Sequence, residues 1–262
     1  MSQPRTESRQ VFLDEQSDSV ASLTERAQRA AGALAAMGVT EGDTVALLLR
    51  NDFAFIETTL AATQLGIYLV PINWHGQAPE VRYVLDDCAP KVLIGHFDLL
   101  QALGDALPAG LPMVAVPAAV STAANSAANA ASNAASVTAA HQFIDWNRWL
   151  AAATPWSGTP PATRSSMIYT SGTTGKPKGV RRKPATPEQA VATAEMFKCV
   201  YGVRPGMRAL VQLGAISTLC QRERRHLRPA IRFPEHHFHS RANPDRIQIA
   251  IDDVRHHGHA VI

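Results

Sequence analysis

"EGDTVALLLRNDFAFIETTLAATQLGIYLVPIN", residues 41–73, runs from a turn through two apolar stretches with a helical segment between them. Gly42-Asp43 supplies the turn, and from Val45 to Leu49 every position is apolar rather than every second one. A strand of that kind is buried on both faces. Phe53 to Leu65 has the length of a helix, and "IYLVPI", residues 67–72, reads as a second buried strand. Upstream, Ser19 to Met37 places Val20, Leu23, Ala27, Ala30, Ala31 and Leu34 on one helical face, with Gly38 as the stop. Downstream, "APEVRYVLDDCA", residues 78–89, reads as a third helix before the strand "KVLIG", residues 91–95. Strands alternating with helices of this length predict an α/β fold of layered helices and mostly parallel sheet.

Composition agrees with a globular chain. Its 262 residues, 46% of them hydrophobic, can bury a sizeable core. A net charge of +3 is too mild to argue for nucleic acid or an anionic membrane as a partner. Cys88, Cys199 and Cys220 lie far apart without a Cys-x-x-Cys pair, which speaks against a disulfide framework and for a reducing compartment. The opening "MSQPRTESRQ" lacks the apolar core of a signal peptide, and no run reaches the roughly 18 apolar residues of a spanning helix. A soluble, cytoplasmic protein without a transmembrane segment is expected. One segment breaks the α/β pattern: "AAVSTAANSAANAASNAASVTAA", residues 118–140, has neither charge nor bulky apolar groups. It can bury little surface and reads as a solvated low-complexity insertion between residues 1–117 and 141–262.

After that insertion comes "MIYTSGTTGKPKGV", residues 167–180, which begins as a β-type run and then turns to Thr, Ser, Gly, Lys and Pro. Glycines permit close backbone approach, hydroxyls and backbone N–H groups donate, and Lys176 and Lys178 add positive charge. The composition suits an anion, above all a phosphate. Gly172 and Gly175 enclose two residues and Pro177 follows Lys176, so the spacing is not that of a Walker loop.

The string "YTSGTTGKPKG" resembles the phosphate loop of the AMP-forming adenylating enzymes, the superfamily of acyl-CoA synthetases, luciferases and peptide-synthetase adenylation domains. The resemblance covers most of residues 20 to 211. "GVTEGDTVALLLRNDFAFIETTLAATQLGIYLVPIN" is similar to the family's entry segment, and "VPINWHGQAPEVRYVLDDCAPKVLI" is closer to acyl-CoA synthetases than to amino-acid-activating domains. The implied fold is the N-terminal part of the large domain of an acyl-adenylate-forming enzyme. Residues 1–117 would be its N-terminal α/β part and 141–262 its phosphate-loop region, with an atypical stretch at 213–240.

The resemblance implies acyl activation in two steps. A carboxylate attacks the α-phosphorus of ATP to give acyl-AMP and pyrophosphate, and the thiol of coenzyme A then displaces AMP. Donors in the loop, with Mg²⁺, stabilise charge developing on the departing pyrophosphate. By the same resemblance Thr170, Ser171, Gly172, Thr173, Thr174 and Gly175 form the cradle, and Lys178 is the catalytic cation. Lys176 reads as a solvated loop lysine, and Arg181, Arg182 and Lys183 as a wet basic run. The partner implied is a small carboxylic acid, not nucleic acid. The family's later elements (an aromatic-Gly-x-Thr-Glu stretch, a ribose-binding Asp and a C-terminal Lys) have no match here, so an incomplete chain without turnover is expected.

Beyond residue 212 the resemblance lapses. "QLGAISTLCQRERRHLRPAIRFPEHHFHS", residues 212–240, is rich in Arg and His where the family has an apolar strand and a short turn. Back-translating Cys220 to Arg232 one base later permits a more family-like sequence, which suggests a local reading-frame change. Resemblance returns in "NPDRIQIAIDDVRHHGHAVI", similar to the family's next helix and strand, with Ile247, Ile251 and Val254 on one face. Other classes of function are weaker. Adjacent His residues in "EHHFHS" and "RHHGHAVI" lack the partnering Cys or spaced carboxylates of a metal site, and "QRERRHLRPAIR" has no interleaved aromatic for stacking on nucleic acid. A peptide-synthetase-like domain serving another acyl acceptor, or a non-catalytic metal- or nucleic-acid-binding relic, are the alternatives.

Overall fold

A computed structural model describes residues 9–13, 16–117, 143–170, 176–201, 207–212 and 246–251. The chain divides into two compact units, residues 24–184 and residues 1–23 with 185–262. Three sequence features fall outside the described residues: loop positions 171–175, the insertion 118–140 and the atypical stretch 213–240.

The first unit is a three-layer α/β structure. Its sheet holds β3 (Thr44–Leu48), β4 (Tyr68–Pro71), β5 (Val92–His96), β6 (Met113–Val116) and β7 (Phe143–Asp145) in the order β4-β3-β5-β6-β7. All four pairings are parallel. The unbroken apolar runs follow from this layering, because each face of the sheet meets its own core. Val45, Leu47, Val92, Ile94, Val114 and Val116 pack on one side with helices α1 (Val20–Ala36), α2 (Phe53–Leu65) and α5 (Trp146–Ala152). Ala46, Leu48, Leu93, Met113 and Ala115 pack on the other, with α3 (Ala78–Cys88) and α4 (Phe97–Leu103). The α/β layering and the parallel sheet predicted from sequence are therefore present, and α2 begins and ends where its apolar pattern does.

Local chemistry fixes the ends of α2. The Asp52 carboxylate caps its first turn by accepting from the Ala54 N–H, and Gly66 takes the left-handed conformation, φ 61°, that closes the helix. Glu57, on the middle of α2, is buried and ion-paired to Arg26 Nε of α1 at 2.5 Å, tying the two helices together.

The second unit contains an antiparallel sheet in the order β10-β11-β1-β2, from Met207–Gln212, Arg246–Ile251, Gln10–Leu13 and Gln16–Ser19. It also contains helix α6 (Pro187–Tyr201). Here a sequence reading is corrected: residues 246–251 form a strand, paired with β1 and β10, not the start of a helix. Ile247, Ile249 and Ile251 recur at every second position, and β-branched residues with that period suit a pleated strand better than a helix. Val254 and the run from Ala260 to Ile262 lie outside the described residues.

Candidate functional site

The glycine-rich segment is presented by a small hairpin. Strand β8 (Ile168–Thr170) pairs antiparallel with β9 (Lys178–Val180), matching Ile168 with Val180, Tyr169 with Gly179 and Thr170 with Lys178. Cross-strand partners project to the same face. Thr170 and Lys178, the two described members of the expected cradle, thus stand side by side at the mouth of the loop, both exposed. Ser171, Gly172, Thr173, Thr174 and Gly175 lie outside the described residues. The loop follows directly on a strand that ends at Thr170.

The hairpin's opposite face carries Tyr169, and Gly179 is shaped to it. A Cβ on Gly179 would lie 2.7 Å from Tyr169 Cζ and closer still to the Met167 methyl. A side chain at this position would have to displace the Met167 methyl and the Tyr169 ring.

Long-range contacts anchor the hairpin to the parallel sheet and to α3. The Met167 N–H donates to the Leu69 carbonyl of β4 at 2.7 Å. Tyr68 of the same strand donates its hydroxyl to the Arg182 carbonyl at 2.9 Å. The Tyr68 ring also lies under two guanidinium groups, those of Arg164 at 5.6 Å and Arg181 at 5.5 Å from its centroid. Arg181 Nη2 further donates to the buried Thr44 hydroxyl at 2.9 Å. Arg181, Arg182 and Lys183 are exposed, as read from sequence, and Arg181 in addition ties the hairpin to the sheet. Lys176 is exposed as expected, with its ammonium 5.3 Å from the Tyr83 ring centroid.

On α3, Tyr83 donates its hydroxyl to the Pro177 carbonyl at 3.0 Å, and Asp87 accepts from the Tyr169 hydroxyl at 2.5 Å. Partial burial and the Asp87 hydrogen bond together push the Tyr169 phenol well above its ordinary value, so it remains a donor at neutral pH. Burial likewise pushes the neighbouring Cys88 thiol up to about 12, which makes it an inert core residue. These ties were not legible in the sequence, because each joins residues 82 to 137 positions apart.

At the carboxyl ends of β3 and β5, where open parallel sheets often take ligands, polar groups bond one another instead. The Arg50 N–H donates to His96 Nδ1 at 3.1 Å, which leaves Nε2 to carry the proton shared with Asp52 Oδ2, also at 3.1 Å. Arg50 makes a two-pronged ion pair with Asp98. Among the described residues no group of three or more His, Cys, Asp or Glu side chains could hold a metal ion, and no helix is long and apolar enough to cross a membrane.

Comparison with known proteins follows the same lines. The family model described as AMP-binding enzyme matches residues 2–215. A fatty acid–[acyl-carrier-protein] ligase, ScoC, of Streptomyces coeruleorubidus is 32% identical over 159 residues, covering 60% of this chain and 26% of that protein. The long-chain-fatty-acid–CoA ligase FadD13 of Mycobacterium tuberculosis is 30% identical over 207 residues, covering 78% of this chain and 37% of its own. The chain thus spans about a third of the length of such relatives. The fold is shared with a benzoate CoA ligase from Burkholderia xenovorans, TM-score 0.53 at 22% identity over 71% of this chain and 33% of that one.

Proposed function

The chain belongs to the AMP-binding enzyme family, and from that premise we propose that it carries the phosphate-binding portion of a carboxylic acid:CoA ligase. The observation that supports this most directly is the β8–β9 hairpin, with Thr170 and Lys178 paired on one face beside a loop of Ser, Thr and Gly. In this reading the loop N–H and hydroxyl groups of 170–175 receive the ATP phosphates, and Lys178 supplies the fixed positive charge. Attack of the acid's carboxylate on the α-phosphorus forms acyl-AMP and leaves pyrophosphate, whose growing negative charge the loop and an ATP-borne Mg²⁺ offset. Coenzyme A is the second acceptor, and a fatty or aryl acid the first substrate. A carrier-protein thiol as acceptor is the second reading, favoured by the likeness to ScoC.

Titrating the purified chain with ATP and Mg²⁺ tests the assignment. Lys178→Ala should weaken binding about tenfold, the size of one charge-assisted contact, and Lys176→Ala by less than about twofold, as suits an exposed cation. Equal losses from the two substitutions would remove Lys178 from its role.

A further inference from the structure

Both described ends of the glycine-rich loop are held by one face of one helix. Tyr169 precedes Thr170, and its hydroxyl reaches Asp87 at 2.5 Å. Pro177 precedes Lys178, and its carbonyl receives the Tyr83 hydroxyl at 3.0 Å. Tyr83 and Asp87 are four residues apart, one above the other on α3. The helix itself is fixed from behind, because Val81, Val84, Leu85 and Cys88 are buried against the parallel sheet.

We propose that Tyr83 and Asp87 of α3, with Tyr169, form a latch that sets the spacing and facing of Thr170 and Lys178, making them positioning residues for a nucleotide phosphate. A three-residue strand pair such as β8–β9 is too short to hold its own register in water, and the face bearing Thr170, Lys178, Ile168 and Val180 is exposed. Orientation must come from the other face. That face carries Tyr169, lying across Gly179, and the residue it bonds is on α3. Phosphate oxygens need donors placed to within a fraction of an ångström, so holding the flanks fixes affinity without adding a ligand contact. Neither Tyr83 nor Asp87 is among the phosphate-contacting residues of the reading above, on which the latch's role rests.

The test uses the whole chain and ATP with Mg²⁺. Tyr169→Phe and Asp87→Ala each remove one hydrogen bond and keep the surrounding rings, and each should raise the ATP dissociation constant about fivefold. Because they cut the same bond, the double variant should be no weaker than the weaker single one. Asp87→Asn keeps an acceptor oxygen for the Tyr169 hydroxyl and should restore most of the affinity lost in Asp87→Ala. Tyr83→Phe, which cuts the second tie, should add its effect to that of Tyr169→Phe. Melting temperatures should stay within about 3 °C of the unsubstituted chain. ATP binding that is unchanged in Tyr169→Phe and Asp87→Ala overturns the latch and leaves the loop assignment standing. Affinity lost only in step with melting temperature, without rescue by Asp87→Asn, also overturns it. An unsubstituted chain that binds no ATP removes the loop assignment, and the latch's role with it.

Discussion

Gly179 shows how a single position is decided by what crosses it. Its sequence context, a glycine after Lys178, suggests a flexible loop, but its restriction is steric: the Met167 methyl and the Tyr169 ring occupy the space a side chain would need. Gly179→Ala should cost about 1–3 kcal/mol, the usual penalty of forcing a methyl into a filled site, measured as a shift in the urea midpoint. Asp43 is decided by its partners. Burial by itself would raise its carboxyl, but the Lys91 ammonium at 2.9 Å and the Thr40 N–H and hydroxyl at 2.7 and 2.8 Å outweigh that and hold it below the ordinary value. A carboxylate depressed in the folded state stabilises above its unfolded value, near about 3.9, and that contribution is lost as pH falls through the folded one. Stability should therefore fall less steeply between about pH 5 and pH 3 in Asp43→Asn than in the unsubstituted chain, as read from denaturant midpoints across that range. Lys178 and Thr170 were readable as site candidates from the motif alone. Arg181 was not, since its bond to Thr44 spans 137 residues and leaves no local signature.

At the scale of elements, helices and strands with a strong apolar pattern were legible and those without one were not. α2 carries its own start signal in Asp52, and Asp52→Ala should cost about 1–2 kcal/mol through the lost cap and the lost His96 contact. Its pairing with α1 was invisible in sequence, because a glutamate in mid-helix reads as solvent-facing. Glu57 is instead 1% exposed and meets Arg26. Removing the guanidinium takes an ion-pair partner from a buried carboxylate, so Arg26→Ala should destabilise by roughly 1–3 kcal/mol, less than a broken fully buried pair because Arg26 is itself about a third exposed. Chemical denaturation would report this, and a loss below about 0.5 kcal/mol would mean that the pair behaves as a surface one. Strand β11 marks the opposite failure. Spacing of Ile247 and Ile251 by four fits a helix face, but Ile249 between them fits only a strand, and pairing with β1 and β10 on both edges settles the choice.

For the molecule as a whole, the parallel sheet and the hairpin anchored to it account for the described part of the candidate site within residues 24–184. The match to FadD13 spans 37% of that protein's length. The sequence by itself determined the α/β class and the order of strands and helices from Thr44 to His96, because apolar period and turn residues are local properties. Tertiary structure alone decided that Thr170 and Lys178 share a face, that α3 grips both flanks of the loop, and that Arg181 and Glu57 are structural. Each of these depends on which distant segment arrives beside the residue, and that is set by packing of the two cores against the sheet rather than by any neighbour along the chain.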